Sequence, residues 1–180
     1  MSLLLFGFKA SGKTHFGKIL SKKMHRPLVD TDDLIKNEYE KEYGFHKSIR
    51  QIYKEHGAEE FRKIEKKVIQ RLKIFENTII ALGGGTVLNI KVVNLLQEIG
   101  AIVYLKTSPE KLKERIFKDE LPAFLDPKDP EGSFYEMIHE REPIYRSIEA
   151  RVIDTDQLDK AGVISALHSI LLLKEPPNGF

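Results

Sequence analysis

Short apolar runs alternate with longer amphipathic stretches along this chain. The runs are Ser2–Phe6, Pro27–Val29, Thr78–Leu82, Ala101–Leu105 and Arg151–Ile153, each too short for an independent helix. The helical patterns between them cover Lys13–Met24, Asp33–Glu42, Ser48–His56, Ala58–Ile74, Ile90–Ile99, Pro109–Lys118 and Gly132–Ser147. A last helix is predicted near Gln157–Leu173. Strands alternating with helices predict an α/β fold around a parallel sheet. There is no internal repeat and no low-complexity linker. The one long irregular stretch, Asp119–Glu131, contains Pro122, Pro127 and Pro130. A loop of that length in a compact domain is a lid or a disordered segment.

Composition narrows this picture without redirecting it. The 180 residues fit one domain, predicted over residues 1–175, and 41% hydrophobic with 31% charged residues is ordinary globular usage. The tail Glu175–Phe180 carries two prolines and a glycine and is expected to fray. A net charge of +2, with basic and acidic residues interleaved, argues against a nucleic-acid partner. No segment approaches the ~18 apolar residues of a membrane span. Leu3–Phe6 is too short for a signal-peptide core, so Met1 is read as the start of the folded domain. The absence of cysteine removes disulfides and thiolate chemistry, and suits a reducing cytoplasm. The six histidines form no metal-binding pair on a common helix.

The first strand runs straight into Gly7-Phe8-Lys9-Ala10-Ser11-Gly12-Lys13-Thr14, which satisfies G-x-x-x-x-G-K-[ST]. Glycines let the backbone wrap an anion so that several N–H groups and a helix N-terminus face it. Lys13 supplies a point charge to the β- and γ-phosphates, and the Thr14 hydroxyl suits Mg²⁺. The ATP-binding segment is read as Gly7, Ala10, Ser11, Gly12, Lys13, Thr14 and His15. A turn that binds nothing is the bland alternative. The strand before the motif, and the helix after it with Phe16, Ile19 and Leu20 on one face, weigh against that.

Three further features point to a second substrate. Asp30-Thr31-Asp32 places two carboxylates at the carboxyl end of a parallel strand, where open α/β sheets form their sites. Asp30 suits Mg²⁺ through water, and Asp32 suits proton acceptance from an attacking hydroxyl. Either could instead cap the helix beginning near Asp33. In Ala58–Ile74, Phe61, Ile64, Val68, Ile69 and Leu72 form an apolar arc, and Glu65 falls inside it with Arg62 at its edge. A carboxylate there requires a partner, and Arg62 is three residues away. The pair is either structural or a device by which Glu65 orients Arg62 towards an anionic substrate group. Gly83-Gly84-Gly85 ends the third strand and lets a ligand approach the backbone, unless it is only a flexible turn.

Taken together, these residues resemble the shikimate kinase family. The resemblance runs from Gly7 to Asp154: the phosphate loop, Asp30-Thr31-Asp32, Phe61-Arg62-Lys63-Ile64-Glu65, the triple glycine, Arg141-Glu142-Pro143-Ile144-Tyr145, and Ile153-Asp154-Thr155 leading into an adenine loop. It implies a three-layer P-loop kinase fold with strand order 2-3-1-4-5, substrate-binding helices about residues 31–74 and a lid about 116–131. It implies ATP- and Mg²⁺-dependent phosphorylation of the 3-hydroxyl of shikimate by a cytoplasmic monomer. Asp32 would be the base and Lys13 would stabilise the transferring group. Arg62 and Arg141 would clamp the shikimate carboxylate, helped by Glu65 and by Gly83, Gly84 and Gly85. Arg115 would lie against the adenine.

Three positions depart from the family pattern. Leu121 stands before Pro122 where the family carries a lid arginine, and no arginine occurs between Arg115 and Arg141. Lys118 and Lys128 are the candidate substitutes. Ala10 replaces a glycine of the phosphate loop, and Lys160 replaces a proline of the adenine loop. Two other readings remain: a kinase of another small polyhydroxy acid such as gluconate, and a catalytically weak relative acting as a binding module.

Overall fold

A computed structural model describes residues 1–118 and 121–173. The expected fraying of Glu175–Phe180, and Asp119 and Glu120 of the irregular stretch, lie outside the described residues. Five strands, β1 (Ser2–Phe6), β2 (Leu28–Asp30), β3 (Ile79–Ala81), β4 (Gly100–Lys106) and β5 (Arg151–Asp154), form one parallel sheet. Its order is β2-β3-β1-β4-β5, as the resemblance implied.

Side chains alternate across the sheet because successive strand residues point to opposite faces. Leu4, Phe6, Ile80, Leu82, Ile102 and Tyr104 pack on one face, and Leu3, Leu5, Ile79, Ala101, Val103 and Leu105 on the other. Helices α1 (Lys13–Met24) and α7 (Lys160–Leu173) cover the second face through Leu20, Val163, Ile164, Leu167 and Leu171. The first is covered by α4 (Ile90–Ile99), α5 (Pro109–Ile116), α6 (Pro130–Ser147) and the end of α3 (Ile49–Arg71). A smaller core, with Ile35, Tyr39, Ile52, Phe61, Ile64 and Val68, joins α2 (Thr31–Tyr43) to α3.

The element boundaries differ from expectation where capping decides them. Helix α2 starts at Thr31 rather than Asp33, because Asp30 is its N-cap and accepts the Asp32 N–H at 3.0 Å. Helix α6 starts at Pro130 rather than Gly132: Asp129 caps it, and proline is preorganised for a first helical position. Helix α5 stops at Ile116 and α7 starts at Lys160, so Lys160 opens a helix instead of lying in the loop before it. Helix α3 is broken at Gly57 (φ 74°), at the junction of the two helical segments predicted there. Ser48 and Gln51 form a reciprocal capping box at its start. The irregular stretch is partly anchored, since Leu125 is buried in the main core and its N–H bonds Pro122.

Candidate active site

Strand β1 delivers the chain to Gly7 at the carboxyl edge of the sheet, and the loop there folds back on itself. Gly7 (φ 149°) and Gly12 (φ 96°) adopt conformations that favour glycine. A Cβ at Gly12 would fall 2.8 Å from the Phe16 ring, and one at Gly7 2.6 Å from the Leu105 carbonyl oxygen. Ala10 sits at φ 67°, so the alanine carries a left-handed cost of about 1 kcal/mol that a glycine would avoid. The Lys13 ammonium curls over the loop, donating to the carbonyls of Gly7 (3.0 Å) and Phe8 (2.7 Å). Burial lowers its pKa to about 8, against the pull of Asp32 and Asp30. Ser11 Oγ is buried inside the loop with no hydrogen-bond partner. A cradle of this shape, holding an unsatisfied hydroxyl and a desolvated ammonium, fits polyphosphate.

Strand β2 ends beside this loop. Thr14 donates to Asp30 Oδ2 at 2.6 Å, while Asp30 Oδ1 caps α2. Asp30 therefore both caps the helix and faces the phosphate loop, and the two readings of it are compatible. Among the described residues no three His, Cys, Asp or Glu side chains converge on a metal site. The hydroxyl and carboxylate of Thr14 and Asp30 are hard oxygen donors. They suit an Mg²⁺ that keeps water and phosphate ligands rather than entering a protein cage. Asp32 points inward, and its pKa is raised, chiefly by burial and then by the neighbouring Asp30 charge.

Gly83-Gly84-Gly85 links the two halves of the site. Gly83 N–H donates to the buried Thr31 hydroxyl at 2.8 Å. A Cβ on Gly83 would lie 3.1 Å from Asp32 Oδ1, and one on Gly85 would overlap the Arg62 guanidinium. A Cβ on Gly84 would meet the Gly7 carbonyl oxygen and the Lys9 amide nitrogen, each at 3.6 Å. Asp32 and Arg62 thus crowd the first and third of these positions, while Gly84 makes ordinary contact with the phosphate loop.

Glu65 is 6% exposed, as its place in the apolar arc predicted. It accepts from Thr86 Oγ1 at 2.7 Å and pairs through its other oxygen with Arg62 Nη1. The Glu65 side chain is 8% exposed while that of Arg62 is 41% exposed, so the pair is buried at the acid and open at the base. That asymmetry suits a carboxylate that aims a guanidinium outward.

Arg141 comes from α6 and stacks over Phe124, with the guanidinium carbon 5.6 Å from the ring centroid. Phe124 is 37% exposed, so it lies at the surface and not in the core. Tyr145, one turn beyond Arg141, is buried and donates its hydroxyl to the Gly84 carbonyl. Burial pushes this phenol up to about 12, while the nearby Arg141 and Arg62 charges pull it down. Arg115 Nη1 bonds the Ala10 carbonyl at 2.9 Å, which holds α5 against the phosphate loop. His15 is exposed and meets Phe16 edge-on. The candidate lid cations lie elsewhere: Lys118 pairs with Glu114, and Lys128 is exposed.

Sequence reasoning did not single out Thr31 and Thr86, which hold Gly83 and Glu65. A hydroxyl on a buried helix face or turn leaves no distinctive pattern in sequence.

With this geometry in view, the comparisons with known proteins are decisive. The family model for shikimate kinase matches residues 9–171. The chain belongs to the shikimate kinase family. Curated shikimate kinases from Caldicellulosiruptor saccharolyticus and Caldanaerobacter subterraneus are 36% and 34% identical to it over 174 and 173 residues. The first alignment covers 97% of each chain, and the second 96% of this chain and 98% of the relative. A solved shikimate kinase from Acinetobacter baumannii, in complex with shikimate, matches with a TM-score of 0.83 at 26% identity. That match covers 98% of this chain and 95% of the other. A gluconokinase from Sinorhizobium meliloti, 17% identical with a TM-score of 0.55, shares only the fold, over 96% of this chain and 92% of its own. The shikimate kinase match begins inside the phosphate loop and ends inside α7, so nearly every site residue described above falls within it.

Proposed function

We propose that this chain transfers the γ-phosphoryl group of ATP to the 3-hydroxyl of shikimate. The observation that carries this reading is the position of Asp32 against Gly83, which also faces Glu65 of the Arg62–Glu65 pair, while the adjoining Gly84 meets the phosphate loop. Arg62 and Arg141 present guanidinium groups of the right shape for the acceptor carboxylate. Asp32 takes the proton of the attacking hydroxyl. Lys13 meets the negative charge that builds on the transferring oxygens, and the loop N–H groups hold the remaining phosphates. Thr14 and Asp30 would hold Mg²⁺, which when bound neutralises phosphate charge and orients the transfer.

No helix among the described residues is long and apolar enough to cross a membrane. That and the absence of cysteine support action in the cytoplasm.

The test is coupled ADP release with shikimate, quinate and gluconate as acceptors. Turnover on shikimate at least tenfold above the others is expected; a preference for gluconate would assign the site to another sugar acid.

Arg62→Lys and Arg141→Lys should each raise the shikimate KM about tenfold or more and leave the ATP KM within about twofold. Lysine keeps the charge but loses the bidentate fork. A change confined to ATP would place both arginines in the wrong pocket. Glu65→Gln should act as a milder Arg62 variant, raising the shikimate KM roughly 3- to 10-fold by weakening one charged hydrogen bond. If thermal stability falls and kinetics stay unchanged, the pair is structural only.

A further inference from the structure

The triple glycine runs directly into a short 3₁₀ turn, Thr86–Leu88, whose first residue is withdrawn from solvent. Thr86 is 2% exposed, and burying a hydroxyl is costly unless it finds a partner. It finds one on another element: Thr86 Oγ1 donates to Glu65 Oε1 of α3 at 2.7 Å. The Thr86 main-chain N–H donates to the Gly83 carbonyl at 3.1 Å. A Cβ on Gly83 would stand 3.2 Å from the same hydroxyl. One residue therefore ties the glycine loop to α3, at the carboxylate that pairs with Arg62.

The direction of this hydrogen bond is fixed by chemistry. A carboxylate paired with a guanidinium only accepts, so the hydroxyl must give its proton to Glu65. The other Glu65 oxygen accepts from Arg62 Nη1. A carboxylate gripped at one oxygen still turns about its last torsion, which is broad and roughly twofold. Gripped at both, it keeps one orientation, and the guanidinium follows it. Arg62 depends on that grip, because its side chain is 41% exposed and core packing does little to direct it. The glycine turn that Thr86 closes also runs against Arg62: a Cβ on Gly85, the residue before Thr86, would overlap the guanidinium.

We infer that Thr86 is a positioning residue for the acceptor: by fixing the Glu65 carboxylate it fixes the direction in which Arg62 meets the acceptor's anionic group. This rests on the reading of Arg62 as an acceptor-binding arginine and adds to it the residue that sets its aim. A hydroxyl that only satisfied a buried carboxylate would show in the melting temperature and nowhere else. One that aims Arg62 has a kinetic signature. Acceptor binding weakens, ATP binding does not, and the effect disappears once Arg62 itself is changed.

The experiment is steady-state kinetics with a thermal melt on the full chain, on Thr86→Val and Thr86→Ser, and on Arg62→Lys with and without Thr86→Val. Valine keeps the branched shape and removes the hydroxyl, whereas serine keeps the hydroxyl. For Thr86→Val the shikimate KM should rise about 3- to 10-fold, the range of one hydrogen bond, with kcat and the ATP KM within about twofold. Thr86→Ser should stay within about twofold of the wild type. On Arg62→Lys, adding Thr86→Val should move the shikimate KM by less than about twofold, since residues acting through one another are not additive. Thr86→Ala also removes the hydroxyl, adds no bulk, and carries the same expectation if the valine variant does not fold. A lowered melting temperature with an unchanged shikimate KM would overturn the proposal. So would an equal rise for ATP and shikimate, a serine variant as impaired as valine, or the full rise persisting on Arg62→Lys. Any of these beside normal wild-type turnover on shikimate would remove Thr86 and leave the kinase reading intact. Absence of wild-type turnover would remove the kinase reading itself, and this proposal with it.

Discussion

Lys13→Ala should reduce kcat by about 10²–10³-fold or more while the purified protein keeps its fold. Preorganised charge directed at a developing anion contributes on that scale, because the site need not reorganise as the charge appears. Lys13 is placed for it. The ammonium is desolvated enough for its pKa to drop to about 8, and two carbonyls of the phosphate loop fix its direction. The check is kcat at saturating ATP and shikimate together with a thermal melt. Turnover near that of the wild type, with an unchanged melt, would mean that charge stabilisation comes from elsewhere.

Asp32→Asn should cost about 10²–10⁴-fold in kcat/KM for shikimate, the usual range for a positioned general base. Its pH profile is the sharper signature. A base acts only when deprotonated, and burial with the adjacent Asp30 raises the Asp32 pKa above the ordinary carboxylate range. In the wild type kcat/KM should therefore fall as pH drops through that raised value, at a higher pH than an exposed aspartate would produce. Asparagine cannot titrate, so the acid limb should vanish along with most of the rate. An acid limb unchanged in the variant would assign it to another group and remove Asp32 as the base.

Much of this was legible before any coordinates. The phosphate loop could be read because its glycines, lysine and threonine answer a geometric demand that few other sequences meet. Glu65 betrayed itself by standing in an apolar arc, and the structure buries it beside Arg62. The strand order came from the family resemblance and not from periodicity, since alternation of strands and helices leaves the order of a parallel sheet open. Capping moved the ends of α2 and α6: Asp30 and Asp129 satisfy N–H groups that hydrophobic pattern does not register. The placement of Lys9 was invisible for a different reason. Its main-chain nitrogen meets Gly84 only when β1 and β3 align their carboxyl ends. The same convergence explains Thr31 and Thr86, whose hydroxyls matter through residues far along the chain.

The central claim is that the γ-phosphoryl group passes to a ring hydroxyl of shikimate and not to water. Phosphorus NMR of the wild-type protein with ATP, Mg²⁺ and shikimate tests it directly. The account predicts a new phosphomonoester signal growing in step with ADP, coupled to the proton on carbon 3 of the shikimate ring, with no inorganic phosphate beyond background. Inorganic phosphate as the only product, or ATP left unconsumed, would contradict it.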